Sequence, residues 1–217
     1  MDIRENFMKL ITLSACAVVA MSLVSCASPE RSRNMADPNT SAQTLAAQVC
    51  SNCHGLDGNS ISPNFPRLAA QQKNYMVSQL KGFRTHNRAD PAGFEYMWGL
   101  SRSLTDSQID GLADYYVKQK PLPAGSADSS LIAAGREVYQ KGLPVKEVPP
   151  CMSCHGPEAQ GTEQFPRLAG QHADYLVKQL NVFQRTDERP EGAVMKIIAH
   201  GMTASDMVAV AAYLQTR

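Results

Sequence analysis

The sequence predicts an all-α protein made of two tandem copies of one helical domain. Three observations predict it. Apolar residues recur at i, i+3, i+4 and i+7, with Ile109, Leu112, Ala113 and Tyr116 in one segment and Met207, Val210, Ala211 and Leu214 in another. That spacing is one face of a helix. No stretch alternates apolar and polar residues with period two, as a half-buried strand would. The second half also repeats the first at a spacing of about 100 residues. Phe65-Pro66-Arg67-Leu68-Ala69 returns as Phe165-Pro166-Arg167-Leu168-Ala169, and Gln71, Tyr75, Gln79, Leu80 and Phe83 return as Gln171, Tyr175, Gln179, Leu180 and Phe183. A period that long, present twice, is a domain duplication, because solenoid units run to roughly 20–50 residues.

The 217 residues suffice for two small domains, and a net charge of +1 gives no strong pull toward nucleic acid or an anionic membrane. Aromatics make up 6% of the chain and there is one Trp, so two small cores would be thin. A large flat apolar group in each would supply buried surface that side chains do not.

In chain order, Arg4 and Lys9 flank an uncharged apolar run over residues 10–24. That run is shorter than the about 18 residues a membrane span needs and fits the apolar region of a secretory signal. Leu23-Val24-Ser25-Cys26 resembles a bacterial lipoprotein cleavage box, which would make Cys26 the lipidated first residue of the mature chain. The plainer alternative is an ordinary signal cut near Ala27. The expected organisation is a signal over 1–26, a flexible tether over 27–39, a first domain over 40–120, a Pro/Gly linker over 121–127 and a second domain over 128–217.

Within the first domain, Thr40 or Ser41 caps a short helix that carries Leu45, Ala46 and Val49 into Cys50. Residues 55–63 are rich in Gly, Asn, Ser and Pro and read as a loop. Tyr75, Gln79 and Phe83, with Leu80 beside them, mark an amphipathic helix. Thr105 to Gln108 and Thr203 to Asp206 read as helix starts of the capping-box kind. Asp128 or Ser129 caps a helix through Leu131, Gly135, Val138 and Tyr139, which a Pro-rich loop joins to Cys151.

The chemistry sits in a pentapeptide that occurs twice, Cys50-Ser51-Asn52-Cys53-His54 and Cys151-Met152-Ser153-Cys154-His155. This is the attachment motif for c-type haem. Two thiols three positions apart add to the two vinyl groups on one porphyrin edge, and the following histidine supplies the proximal nitrogen. The expectation is two covalent haem c groups, on Cys50 and Cys53 and on Cys151 and Cys154, with His54 and His155 on the irons. A thiol redox site also uses C-x-x-C, but its fold carries β-α-β signals that are missing here. Zinc sites place their Cys pairs closer together. Of six cysteines, four lie in the pentapeptides, Cys16 lies in the signal and Cys26 at the cleavage box, so none is left for a disulfide.

Each iron needs a sixth ligand. The last helices of the two halves align at an offset of 98, and Met97 matches Met195 there while no other first-half Met has a partner. Thioether ligation opposite His occurs in cytochromes c and raises the reduction potential. Met76, Met202 and Met207 align with apolar core positions. His200 lies in the same loop as Met195 and is its rival, although its counterpart is Arg102. His86 and His172 have no matching His and read as surface or helix-cap residues. The carbonyls of Pro66 and Pro166 are expected to accept the second N–H of each ligating His. Arg67, Arg167, Tyr75 and Tyr175 are candidates for the haem propionates, or else solvated surface groups.

With both pentapeptides, the Phe65 to Gln71 and Phe165 to Gln171 stretches, the Tyr-x-x-x-Gln-Leu helices and the two Met positions in hand, the chain resembles the dihaem cytochromes of the cytochrome c4 family over roughly residues 40–217. The resemblance implies two class I cytochrome c domains about a pseudo-twofold, with two His/Met haems close enough to exchange electrons. It also implies an electron carrier, not an enzyme, in the bacterial periplasm, between a quinol:cytochrome c reductase and a terminal oxidase. Two alternatives are a dedicated cytochrome subunit of a periplasmic dehydrogenase and a dihaem peroxidase. A lipid on Cys26 would tether the carrier to a membrane. The chain departs from the family pattern at Trp98, Arg102 and His200.

Overall fold

The computed structural model describes residues 35–123 and 125–217. The expected signal over 1–26, with Cys16 and the expected lipidation residue Cys26, and most of the expected tether lie outside the described residues. The described residues form one compact unit. Among the described residues the structure is helical, with two isolated bridges (Leu143 to Val148, Thr162 to Phe165) and no strand.

The first half opens with α1 (Ala42–Leu45), which Ser41 caps by accepting a bond from the Thr44 N–H. A widened π turn, Ala46–Cys50, leads into α2 (Ser51–His54). After a loop come α3 (Lys73–Arg84), a second π turn over Gly93–Met97, α4 (Trp98–Ser101) and α5 (Asp106–Val117). The second half supplies α6 (Ser129–Lys141), α7 (Met152–His155), α8 (Ala173–Arg185), α9 (Ala193–His200) and α10 (Ala204–Gln215).

The caps are those the sequence signals. Thr105 and Gln108 form a complete capping box on α5, as do Thr203 and Asp206 on α10, and Asp128 caps α6. Each box satisfies two N–H groups that a helix start leaves open.

Each half has its own core. Leu45, Met76, Leu104, Ile109, Leu112 and Tyr116 pack in the first, where α5 lies on α1 and α3. Tyr139, Leu176, Phe183, Met207, Val210 and Leu214 pack in the second, where α10 lies on α6 and α8. The matched faces of α5 and α10 are therefore both core faces, and Met76, Met202 and Met207 are buried as expected.

The α6–α10 crossing depends on Gly135. A Cβ there would stand 2.0 Å from the Ala209 carbonyl oxygen. Gly135→Ala is expected to destabilise the protein by about 1–3 kcal/mol through forced separation of the two helices, read as a lower urea midpoint with unchanged haem content.

Candidate haem centres

A single helical turn builds each attachment site. Residues three and four apart share a helix face, so Cys50, Cys53 and His54 point one way at the end of α2, and Cys151, Cys154 and His155 do so at the end of α7. Both turns stop at a glycine with positive φ, Gly55 at 79° and Gly156 at 82°. That left-handed geometry favours glycine and turns the chain away just after the histidine.

Both histidines are buried, and each Nδ1–H donates to the expected proline carbonyl: His54 to Pro66 at 2.9 Å and His155 to Pro166 at 3.0 Å. Burial lowers both imidazole pKa values and outweighs the raising effect of these hydrogen bonds. The neutral tautomer so fixed keeps its lone pair on Nε2, the atom a metal needs.

The acceptor loops are themselves held in place. Leu68 and Ala69 donate to the Gly58 carbonyl, and Leu168 and Ala169 donate to the Ala159 carbonyl. Ala70 and Gly170 bond the end carbonyls of α5 and α10, at Tyr116 and Leu214.

The surroundings suit a large apolar cofactor. Phe65 and Phe165 meet His54 and His155 edge-on, each with centroids 6.2 Å apart. Burial pushes the Cys50 and Cys151 thiols up to about 11, an environment fit for a thioether, which has no proton to lose. The four cysteines form no disulfide among the described residues. Arg167 Nε is buried without a partner, and a haem carboxylate is the kind of group that would satisfy it. Arg67, by contrast, donates to the carbonyls of Gly170 and Ser60.

Met97 ends the second π turn and is half-buried. Its neighbour Tyr96 packs edge-on against Phe65 at 5.8 Å, so two aromatic contacts link the Met97 segment to His54. Both π turns of the first half end on a predicted haem residue, Cys50 and Met97, and such turns are frequent at functional sites. Met195 lies in α9 and packs on the second core, together with Cys151 and Leu168. His200 is exposed at the end of that helix, with Nδ1–H donated to the Lys196 carbonyl at 2.9 Å.

Between the halves lies a buried polar layer with near two-fold symmetry. Gln71 accepts from the Arg167 N–H and donates to its carbonyl, and Gln171 does the same with Arg67, at 2.7–3.0 Å. Deeper in, Arg88 donates to Gln79 at 2.7 Å and to Gln179 at 3.3 Å. Arg189 donates to the same two oxygens, at 2.9 and 2.6 Å. Arg88 pairs with Asp90 and lies over Phe83, and Arg189 pairs with Glu191 and lies over Phe183.

Sequence reasoning missed this layer. The available signal was Arg88-x-Asp90 recurring as Arg189-x-Glu191, and glutamines at buried positions of α3 and α8. His172 stands at the N-cap position of α8, but its side chain caps nothing and is buried against the first half, bonding the Ser60 carbonyl at 2.9 Å. It is not a surface residue, because the docking of the halves covers it. Tyr75 faces Arg189 in the same layer.

The Cytochrome c family model matches residues 40–120 and 132–217, one copy per half. Cytochrome c-552 of Acidithiobacillus ferridurans is 40% identical over 170 residues, covering 77% of this chain and 73% of that protein. Cytochrome c4 of Azotobacter vinelandii is 36% identical over 178 residues, covering 78% and 84%. A thiosulfate dehydrogenase electron acceptor of Stutzerimonas stutzeri is 34% identical over 174 residues, covering 77% and 78%. The solved structure of Acidithiobacillus ferrooxidans cytochrome c4 superposes with a TM-score of 0.73 at 39% identity, covering 77% of this chain and 98% of that one. Two motif-bearing helical halves, two oriented histidines and this run of relatives lead to one conclusion: the chain belongs to the cytochrome c4 family, a dihaem class I cytochrome c that carries two covalent haem c groups and transfers electrons.

Proposed function

We propose that both irons are six-coordinate, with His54 and Met97 on the first and His155 and Met195 on the second, and that the protein is a periplasmic carrier tethered through a lipid on Cys26. The observation that carries the reading is the repeated site. Two histidines fixed by proline carbonyls each have a methionine at a matching place in the following segment. Met195 is supported over His200 by position on α9. Five residues rotate a helix about 140° past a full turn, so His200 points to solvent while Met195 faces the core.

When bound, each haem supplies one-electron iron chemistry. The chain's residues set its terms. Cys50, Cys53, Cys151 and Cys154 fix its position, the Pro66 and Pro166 carbonyls orient and enrich the histidines, and the thioethers of Met97 and Met195 raise the potential. With His54 and Met97 holding one iron and His155 and Met195 the other, no small molecule would have a place to react. That favours a carrier over a peroxidase, which needs an open site. The donor side is a quinol-oxidising complex or a dehydrogenase and the acceptor a terminal oxidase. The similarity to a thiosulfate dehydrogenase electron acceptor favours a second reading, a cytochrome dedicated to one periplasmic dehydrogenase.

Equilibrium reductive titration tests the carrier reading. Uptake of two electrons per chain in one-electron steps, with no peroxide turnover, is expected. Peroxide turnover at a rate fit for an enzyme would sink it. A mature protein whose mass lacks acyl chains on Cys26 would sink the tether alone.

A further inference from the structure

The chain's single tryptophan follows Met97 directly, at the place that Lys196 fills after Met195. Trp98 is fastened on three sides. Its indole N–H donates to the Arg88 carbonyl at 2.8 Å. The His86 ring stacks on it, centroids 4.1 Å apart and planes 17° apart. Phe94 meets it edge-on at 6.4 Å. Gly93 makes the close approach possible, because a Cβ there would stand 2.5 Å from the Arg88 carbonyl oxygen and 3.0 Å from the indole nitrogen.

The anchor itself does not move freely. The Arg88 side chain is 4% exposed and locked between Asp90, Gln79 and Gln179. The next residue, Ala89, donates its N–H to the Glu188 carbonyl of the second half at 2.7 Å. The Met97 segment is thus tied through one indole to the layer that joins the halves.

Among the described residues the second half has no indole at this place. Gln184 of α8 holds the end of α9 by donating to the Ala199 and Met202 carbonyls at 2.9 Å, but among the described residues nothing ties the residue after Met195 to the layer between the halves. Lys196 pairs with Asp187, whose side chain is 87% exposed. An exposed pair of this kind contributes little and is screened by salt.

We propose that Trp98 is the positioning residue of the Met97 segment, and that it makes the first haem site harder to open than the second. This rests on the assignment of Met97 as an iron ligand. A stacked ring and a part-buried N–H bond to a buried arginine's carbonyl resist displacement of the segment more than an exposed ion pair does. The two sites share a ligand set, so the difference appears in how readily each methionine leaves its iron.

Competition with imidazole, which binds ferric iron in place of methionine, tests this on the oxidised holoprotein. The readout is the weak red absorption band of methionine-ligated ferric haem. The wild type is expected to lose the band in two stages, and Met97→Ala should retain only the stage at lower imidazole. Trp98→Ala is expected to lower the midpoint of the upper stage about tenfold and leave the lower stage in place. Trp98→Phe, which keeps the ring and loses the N–H bond, should fall between. The proposal is overturned if the wild type loses the band in one stage, if the upper stage does not move, or if both stages move together. Should Trp98→Ala yield no holoprotein, Trp98→Phe and His86→Ala decide by the same criterion. A full band in Met97→Ala would instead overturn the ligand assignment, and the proposal with it.

Discussion

Asp90→Ala is expected to destabilise the protein by about 3–5 kcal/mol, the range for removing one partner of a buried ion pair. Asp90 is fully buried and receives Arg88 Nε at 2.9 Å, Arg88 Nη2 at 3.2 Å and Gln179 Nε2 at 3.3 Å. Without it, two guanidiniums that share the Gln79 and Gln179 oxygens keep only Glu191 as a counter-charge, and Glu191 sits on the far side at Arg189. The loss falls on the contact between the halves as well as on α3, because Gln179 belongs to the second half.

The same pair gives a pH signature. Burial acts to raise the Asp90 carboxyl, but the charge and hydrogen bonds of Arg88, with Arg189 and Gln179, outweigh it and hold the carboxyl below the ordinary carboxylate range. The unfolded chain therefore binds a proton that the folded one does not, and stability rises with pH through that window. The contribution is complete above about pH 4, the unfolded value, and is lost as pH falls through the lower folded value. Urea midpoints measured against pH should show this acid loss in the wild type and a weaker one in Asp90→Ala.

The largest functional effect is expected at the proposed sixth ligands, Met97 and Met195. Met97→His and Met195→His should each lower one of the two reduction potentials by on the order of 0.1–0.3 V, within the span of about 0.8 V that axial ligands command. Imidazole donates more strongly than a thioether and favours ferric iron. Spectroelectrochemical titration of each variant checks it. One potential should move while the other stays, and the red band should halve. If both potentials stay, the altered methionine is not a ligand. For Met195, a wild-type spectrum retained in Met195→His and lost in His200→Ala would transfer the role to His200.

Much of the site was legible because it is local. Thiols three apart with a histidine next to them specify their chemistry within one helical turn. The capping boxes of α5 and α10 and the apolar faces behind them also need only near neighbours in sequence. The repeat then supplied what no single half could, the match of Pro66 with Pro166, whose carbonyls do accept from the histidines, and the alignment of Met97 with Met195 on which the proposed ligation rests.

What stayed hidden depends on how the halves meet. Gln79 and Gln179 look like ordinary polar positions on an amphipathic helix until α3 and α8 face each other. His172 looks exposed until Ser60 covers it. The two π turns have no marker in composition, since one extra residue per turn leaves the apolar pattern almost unchanged. Trp98 stood out in the sequence, but its role depends on His86 and the Arg88 carbonyl, and loop geometry alone brings those two to it.

On the proposed ligation both irons are closed by protein side chains, so that the chain passes electrons and offers no open site to a small molecule. Low-temperature electron paramagnetic resonance of the untouched oxidised protein tests it most directly. All iron should appear in low-spin signals, two equivalents per chain, and the reduced protein should bind no carbon monoxide. A high-spin signal with the weight of one haem at neutral pH, or stoichiometric carbon monoxide binding, would contradict it.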